Sequence, residues 1–301
     1  MSQETPRPEF MPTFEEHFDP KAPTLLGCWA KLRRAELHLR DLHTEVGRYI
    51  EGNHAETVRS FDPATKVFEA RVQVTRRPNY VAWSVLLGDF LHNLRSALDH
   101  LVWQLVLVSG ERTPDRRNQF PIALQEEHYL GVDGREGMRE RMLTGVAQEH
   151  RVVIDRVQPY RLGEEAATHS LAHLQRLNNT DKHRIMALAL FTTQPPDSED
   201  FVFDGLPGEE EVEIEVYDGA LTSPTVLAAV RVRGVDSEPK MNLKGEFRIE
   251  FGFGDDEGNG LTLPSFHELW TRVGSLVFSF RDAFGAAGEI VRFDLDPEPD
   301  V

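Results

Sequence analysis

Apolar residues fall at helical spacing in the first long segment. Leu25, Leu32, Leu39, Leu42 and Val46 recur with Arg and Glu between them, which predicts a helix over 22–50 that Gly52-Asn53 ends. The period then becomes two. Val67, Glu69, Arg71 and Gln73 alternate with Phe68, Ala70, Val72 and Val74, and the turn residues Asp62–Thr65 precede them. A β-hairpin with strands 58–61 and 66–75 follows from this. The helix predicted over 82–108 is the most apolar in the chain; Gly110 and the polar stretch 111–118 close it, and Phe120-Pro121-Ile122 reads as a short apolar anchor. One or two shorter helices are expected within 137–158, ended by Gln158-Pro159-Tyr160. A further helix is expected from Glu164 through Leu190, bent near Asn178-Asn179.

Beyond Leu190 the pattern turns to strands. Val212–Tyr217, Val226–Val232 and Glu246–Phe253 alternate, with turn chemistry at Asp204-Gly205, Asp218-Gly219 and Asp255–Gly260. A last helix over 265–284 carries Leu269, Val273, Leu276, Val277 and Phe280. The expected fold is α+β: a multi-helix bundle with a β-hairpin insertion, followed by a mainly antiparallel β region and a C-terminal helix. The divisions are a flexible N-terminal arm 1–21, a bundle 22–190 containing hairpin 56–76, an acidic β region 191–262, a helix 263–288 and an acidic tail 289–301. That last helix has two possible seats, the bundle or the sheet. One composite domain and two smaller ones remain equally open.

Charge divides the chain. Its net charge is −17, yet residues 22–190 hold 23 Lys and Arg against 21 Asp and Glu, while 191–301 hold 8 against 24. An acidic surface repels nucleic acid, so a polyanion has to meet the first part. Cys28 is the only cysteine, which excludes an intrachain disulfide and fits a reducing, cytoplasmic setting. The first 23 residues lack an apolar leader core, and no apolar run is long enough to span a bilayer.

The polar face of the 82–108 helix changes the picture further. At ~100° per residue, Asp89, His92, Asn93, Ser96, Asp99, His100 and Trp103 share one arc, Leu87, Leu91, Leu94, Leu98, Leu101, Val102 and Leu105 fill the opposite one, and Arg95 lies on the border. A solvated face would normally carry Lys, Glu and Gln. This stripe instead uses short, directional side chains that are poorer helix formers, which points to a partly buried polar network. In the next long helix, Asn178 and Asp181 fall where the apolar arc predicts core, beside Lys182, His183 and Arg184. Buried Asn and Asp need partners. The two polar faces are therefore expected to meet, with donors from His92, Asn93, Arg95, Ser96 and His100.

Arg95–His100 spells R-S-A-L-D-H, an Arg-x4-His pattern. It resembles the signature of the HEPN superfamily, helical-bundle proteins that include metal-independent RNases. The resemblance implies that His100 is the acid/base and that Arg95 holds phosphate or stabilises developing charge. The candidate catalytic set is then Arg95, His100, His92, Asp99, Asn93 and Asp181, with Asn178, Lys182, His183 and Arg184 as substrate contacts. RNA at the helical part and a homodimer are the implied partners; no cofactor and no membrane are expected. A metal held by His92, Asp89 and Asp99 is an alternative, and His169 and His173 form a weaker H-x3-H pair. No G-x-S-x-G and no P-loop occurs. A rival of another class is a non-enzymatic binding or assembly protein, in which the polar cluster only fixes helix packing and the acidic sheet is the contact surface. Whether the chain is an enzyme stays open at this level.

Overall fold

The computed structural model describes residues 22–52, 54–182, 187–194, 201–204, 211–216, 219–220, 226–238, 240–243, 248–254 and 260–288. The expected arm 1–21, the tail 289–301, and the candidates His183 and Arg184 lie outside them.

Two long antiparallel-packing helices form the centre. α1 runs Leu26–Glu51, opened by the Thr24 hydroxyl accepting from the Leu26 N–H at 3.1 Å. α2 runs Tyr80–Ser109 from an Asn79 cap to Gly110. Their apolar stripes bury Leu32, Leu39, Leu42 and Val46 against Leu87, Leu91, Leu94 and Leu98. Burying a large aliphatic side chain contributes roughly 1.5–3 kcal/mol, so this interface is the main source of cohesion. Between the two helices stands the predicted hairpin, β1 (Ala55–Asp62) and β2 (Val67–Val74).

After α2 the chain makes α3 (Glu126–Leu130), a two-residue pair β3 (Gly131–Val132) and β4 (Arg135–Glu136), then α4 (Met138–Met142) and α5 (Gln148–Arg156). A 3-10 stretch, Pro159–Thr168, leads into α6 (Ser170–Asp181). The expected helix 164–190 is therefore shorter at both ends. His169 caps α6, its Nδ1 accepting from the Leu171 N–H at 3.1 Å. At the other end Ala187–Gln194 is a strand, β5, rather than helix. A short apolar run suits either conformation, and pairing with a distant strand decides.

The remaining strands are β6 (Phe201–Asp204), β7 (Glu211–Val216), β8 (Gly219–Ala220), β9 (Val226–Arg233), β10 (Lys240–Leu243), β11 (Arg248–Gly254) and β12 (Gly260–Thr262). All described pairings are antiparallel. One sheet has the order β1-β2-β9-β7, so the hairpin is not a free insertion but half of a sheet shared with the acidic region. Phe68, Ala70, Val230, Val232 and Val235 form its small core. Across it, Arg231 stands opposite both Glu69 and Glu213 and bonds each. A second sheet, β12-β11-β5-β8, packs on the bundle. Phe251 of this sheet meets Trp83 edge-on at 5.3 Å between centroids.

α7 (Leu263–Phe278) and a 3-10 stretch, Arg281–Gly288, complete the described chain. α7 takes both available seats. Phe266 packs edge-on against Phe90 of α2 and Phe253 of β11, and the Trp270 indole donates to the Leu32 carbonyl at 3.0 Å. Among the described residues, no helix is long and apolar enough to cross a membrane.

Candidate functional site

The stripe on α2 divides into a saturated half and an open half. Arg95 and Asp99 are one helical turn apart, the spacing at which side chains meet. The Arg95 Nη2 donates to Asp99 Oδ1 at 2.8 Å and Nε donates to Oδ2 at 3.3 Å. Nη1 donates to Gln175 Oε1 on α6 at 3.1 Å, and Nη2 also donates to the Phe120 carbonyl at 2.7 Å. Asp99 Oδ1 in turn accepts the Phe120 N–H at 2.9 Å. The pair thus holds three pieces of chain together: α2, α6 and the apolar anchor at Phe120. The anchor is tied from its other side by Gln158, whose amide accepts from the Ala123 N–H and donates to the Pro121 and Ile154 carbonyls. Phe120, Ile122, Ala123 and Gln158 are all buried.

The open half lies nearer the start of α2. Asp89 and His92 are exposed, and Ser96 Oγ stands 3.4 Å from His92 Nε2. Asp181 comes from the last turn of α6 and rests on the α2 backbone at Gly88. A Cβ on Gly88 would lie 2.1 Å from Asp181 Oδ1, so only glycine admits the carboxylate there. Burial first, then the neighbouring Asp89, push the Asp181 carboxyl above the usual range, while His92 pulls it back. His38 on α1 completes the surroundings. It is buried and its imidazole is held below its ordinary value, first by burial and then by Arg34, against the pull of Asp89 and Asp41.

His100 leaves α2 elsewhere. It packs against α1, where a Cβ on Gly27 would meet its Nδ1 at 2.8 Å. Burial of the ring face and Lys31 depress its pKa, opposed by Asp99. Residues five apart on a helix differ by ~140° in direction. Arg95 accordingly turns to α6 and the anchor while His100 turns to α1.

The two polar segments lie side by side, and of the expected donors His92 faces Asp181 while Arg95 is engaged elsewhere. Asp181 faces His92 and Asp89, whereas Arg95 reaches Gln175. Asn93 is buried and donates to the Asp89 carbonyl of its own helix at 2.7 Å. Asn178 is buried in α6, and Lys182 is exposed at its end. Among the described residues no group of three or more His, Cys, Asp and Glu side chains is placed to hold a metal ion, so Asp89, His92 and Asp99 do not converge as that alternative requires. The H-x3-H pair is also corrected. His169 precedes α6 as its cap, and His173 Nδ1 lies 3.1 Å from Arg176 Nη2.

Sequence reasoning missed Gly88, Gly27, Gln175, His38 and the Phe120 main chain. A glycine in a helix interior, which costs about 1 kcal/mol relative to alanine, was the available signal for Gly88. The others depend on neighbours distant in sequence. Comparison with protein-family models, curated proteins and solved structures finds no match. Chemically, the saturated half can position backbone, and the open half can exchange protons or hydrogen bonds with a ligand.

Proposed function

We propose that this chain is a non-enzymatic binding or assembly protein in which the Arg95–Asp99 cluster fixes the packing of α2, α6 and the Phe120 anchor. The observation that carries this reading is the occupancy of the Arg95 guanidinium. Four hydrogen bonds engage it, from Nε, Nη1 and twice from Nη2, out of the five N–H groups an arginine owns. Its side chain is 12% exposed. A phosphate-binding arginine needs donors facing solvent, and this one spends them on its own fold. In this reading the acidic strands beyond residue 190 form the contact surface, and the partner's complementary face is basic.

A HEPN-like, metal-independent endoribonuclease is the second reading. It is favoured by exposed His92 and His100 on α2 and by Asp181, whose raised carboxyl beside His92 is suited to proton transfer. Here RNA would meet the helical part of a homodimer. Incubating the purified protein with structured RNA in EDTA, beside His100→Ala and Asp181→Asn variants, separates the two. The binding reading expects no cleavage by any of them. Cleavage by wild type that His100→Ala abolishes would overturn it.

A further inference from the structure

A cleft of about 610 Å³ lies between α5, the start of α6 and α7, apart from the α2 stripe. Its floor is apolar, made by Val153, Val157, Leu171 and Leu276. Its polar lining is one-sided in charge among the described residues: Arg156, Arg272 and His169 contribute, with the hydroxyls of Ser170, Thr271, Ser275 and Ser279, and none of the described lining residues is a carboxylate. Arg156 and Arg272 form no hydrogen bond or ion pair among the described residues. Surface arginines commonly pair with a neighbouring acid, and Glu268, one turn from Arg272, does not take that role here. Glu268 instead lines an adjoining cleft of about 440 Å³ that shares His169, Ser170 and Arg272.

His169 adds a donor of fixed identity. Its Nδ1 is occupied in accepting the Leu171 N–H, so its neutral form carries the proton on Nε2. Burial, Arg272 and His173 lower its pKa and favour that neutral form. The first residues of α6 line the same cleft, so the positive end of that helix adds to the field of the two guanidiniums.

We propose that this cleft binds a small organic anion, a phosphate ester or carboxylate carried on an apolar body. Two guanidiniums match such a headgroup with paired N–H donors. The valine and leucine floor accepts the apolar body, and the volume falls within the range of small-molecule sites. The described lining offers two guanidiniums and no carboxylate, so it suits an anionic ligand rather than a cationic one.

Isothermal titration calorimetry of the full chain tests this with phenyl phosphate, benzoate, inorganic phosphate and benzyl alcohol as probes. Phenyl phosphate or benzoate, or both, should bind saturably, more tightly than inorganic phosphate or benzyl alcohol, and more weakly as salt is raised. Which of the two binds tighter identifies the headgroup. Arg272→Gln and Arg156→Gln should each weaken binding at least fivefold with circular dichroism unchanged, whereas Arg116→Gln, which removes the same charge from the turn after α2, should leave it unaltered. No saturable heat with either aromatic anion at millimolar concentration, or equal affinity in all three variants, would overturn the proposal. So would binding of benzyl alcohol as tight as that of the anions.

Discussion

Replacing Arg95 with alanine tests the reading of the α2 cluster most directly. The substitution removes four hydrogen bonds at once, two of which make up the ion pair with Asp99. What remains is a carboxylate without its cation, a Phe120 carbonyl without its donor and a Gln175 amide without its partner. Breaking a buried ion pair by deleting one member costs about 3–5 kcal/mol. Asp99 is 30% exposed, so water recovers part of that cost. An expected loss of about 2–4 kcal/mol follows, equivalent to a fall of roughly 3–6 °C in Tm for a chain of this length. Arg95→Lys keeps the charge but cannot span Asp99, Gln175 and Phe120 together, so it should recover less than half of the loss. Urea unfolding followed by circular dichroism measures both, and a double-mutant cycle with Gln175→Ala should show coupling of about 0.5–1.5 kcal/mol. An Arg95→Ala protein within about 0.5 kcal/mol of wild type, as for an ordinary surface substitution, would refute the clamp and return Arg95 to the list of free phosphate ligands.

Three further outcomes follow from the same geometry. Gly88→Ala ought to destabilise despite better helix propensity, because the new methyl displaces the Asp181 carboxylate; a gain of stability in a thermal melt would show that the carboxylate is not seated there. Asp181→Asn is expected to melt higher than wild type at pH 7. The folded carboxyl is raised above its unfolded value of 3.8, so its ionisation opposes folding as pH rises through the raised value; below the unfolded value both side chains are neutral and the difference should vanish. A lower melting temperature for the variant at pH 7 would reveal a cationic partner for the carboxylate. Finally, His38, His169 and His173, buried or half-buried, are held below 6.5 in the fold, chiefly by that burial. Their contribution is present above pH 6.5 and lost as pH falls through the lowered values, so the urea midpoint should decline with acidification below pH 6.5, and a flat profile down to pH 5 would contradict their burial.

What the sequence determined by itself was whatever depends on local period and punctuation. Leu32, Leu39 and Val46 announce α1, the alternation after Lys66 announces β2, and the short-chain polar stripe from Asp89 to His100 marks α2 as unusual. Such signals survive folding because each reports which side of one element faces the core. Tertiary structure decided everything that hinges on a partner far along the chain. Ala187–Leu190 became strand because β11 pairs with it, 61 or more residues later, which no local apolar run announces. The hairpin joined β9, so the division between bundle and acidic region runs through a shared sheet. In the site, Arg95 and His100 sit five residues apart in a suggestive pattern, yet helix geometry sends one to Gln175 and Phe120 and the other to Gly27. Spacing places residues on a face. Only the packing of α1, α6 and the Phe120 anchor around that face decides which polar groups are engaged by the fold and which, like the His92 ring and the Asp89 carboxylate, are left exposed to meet something else.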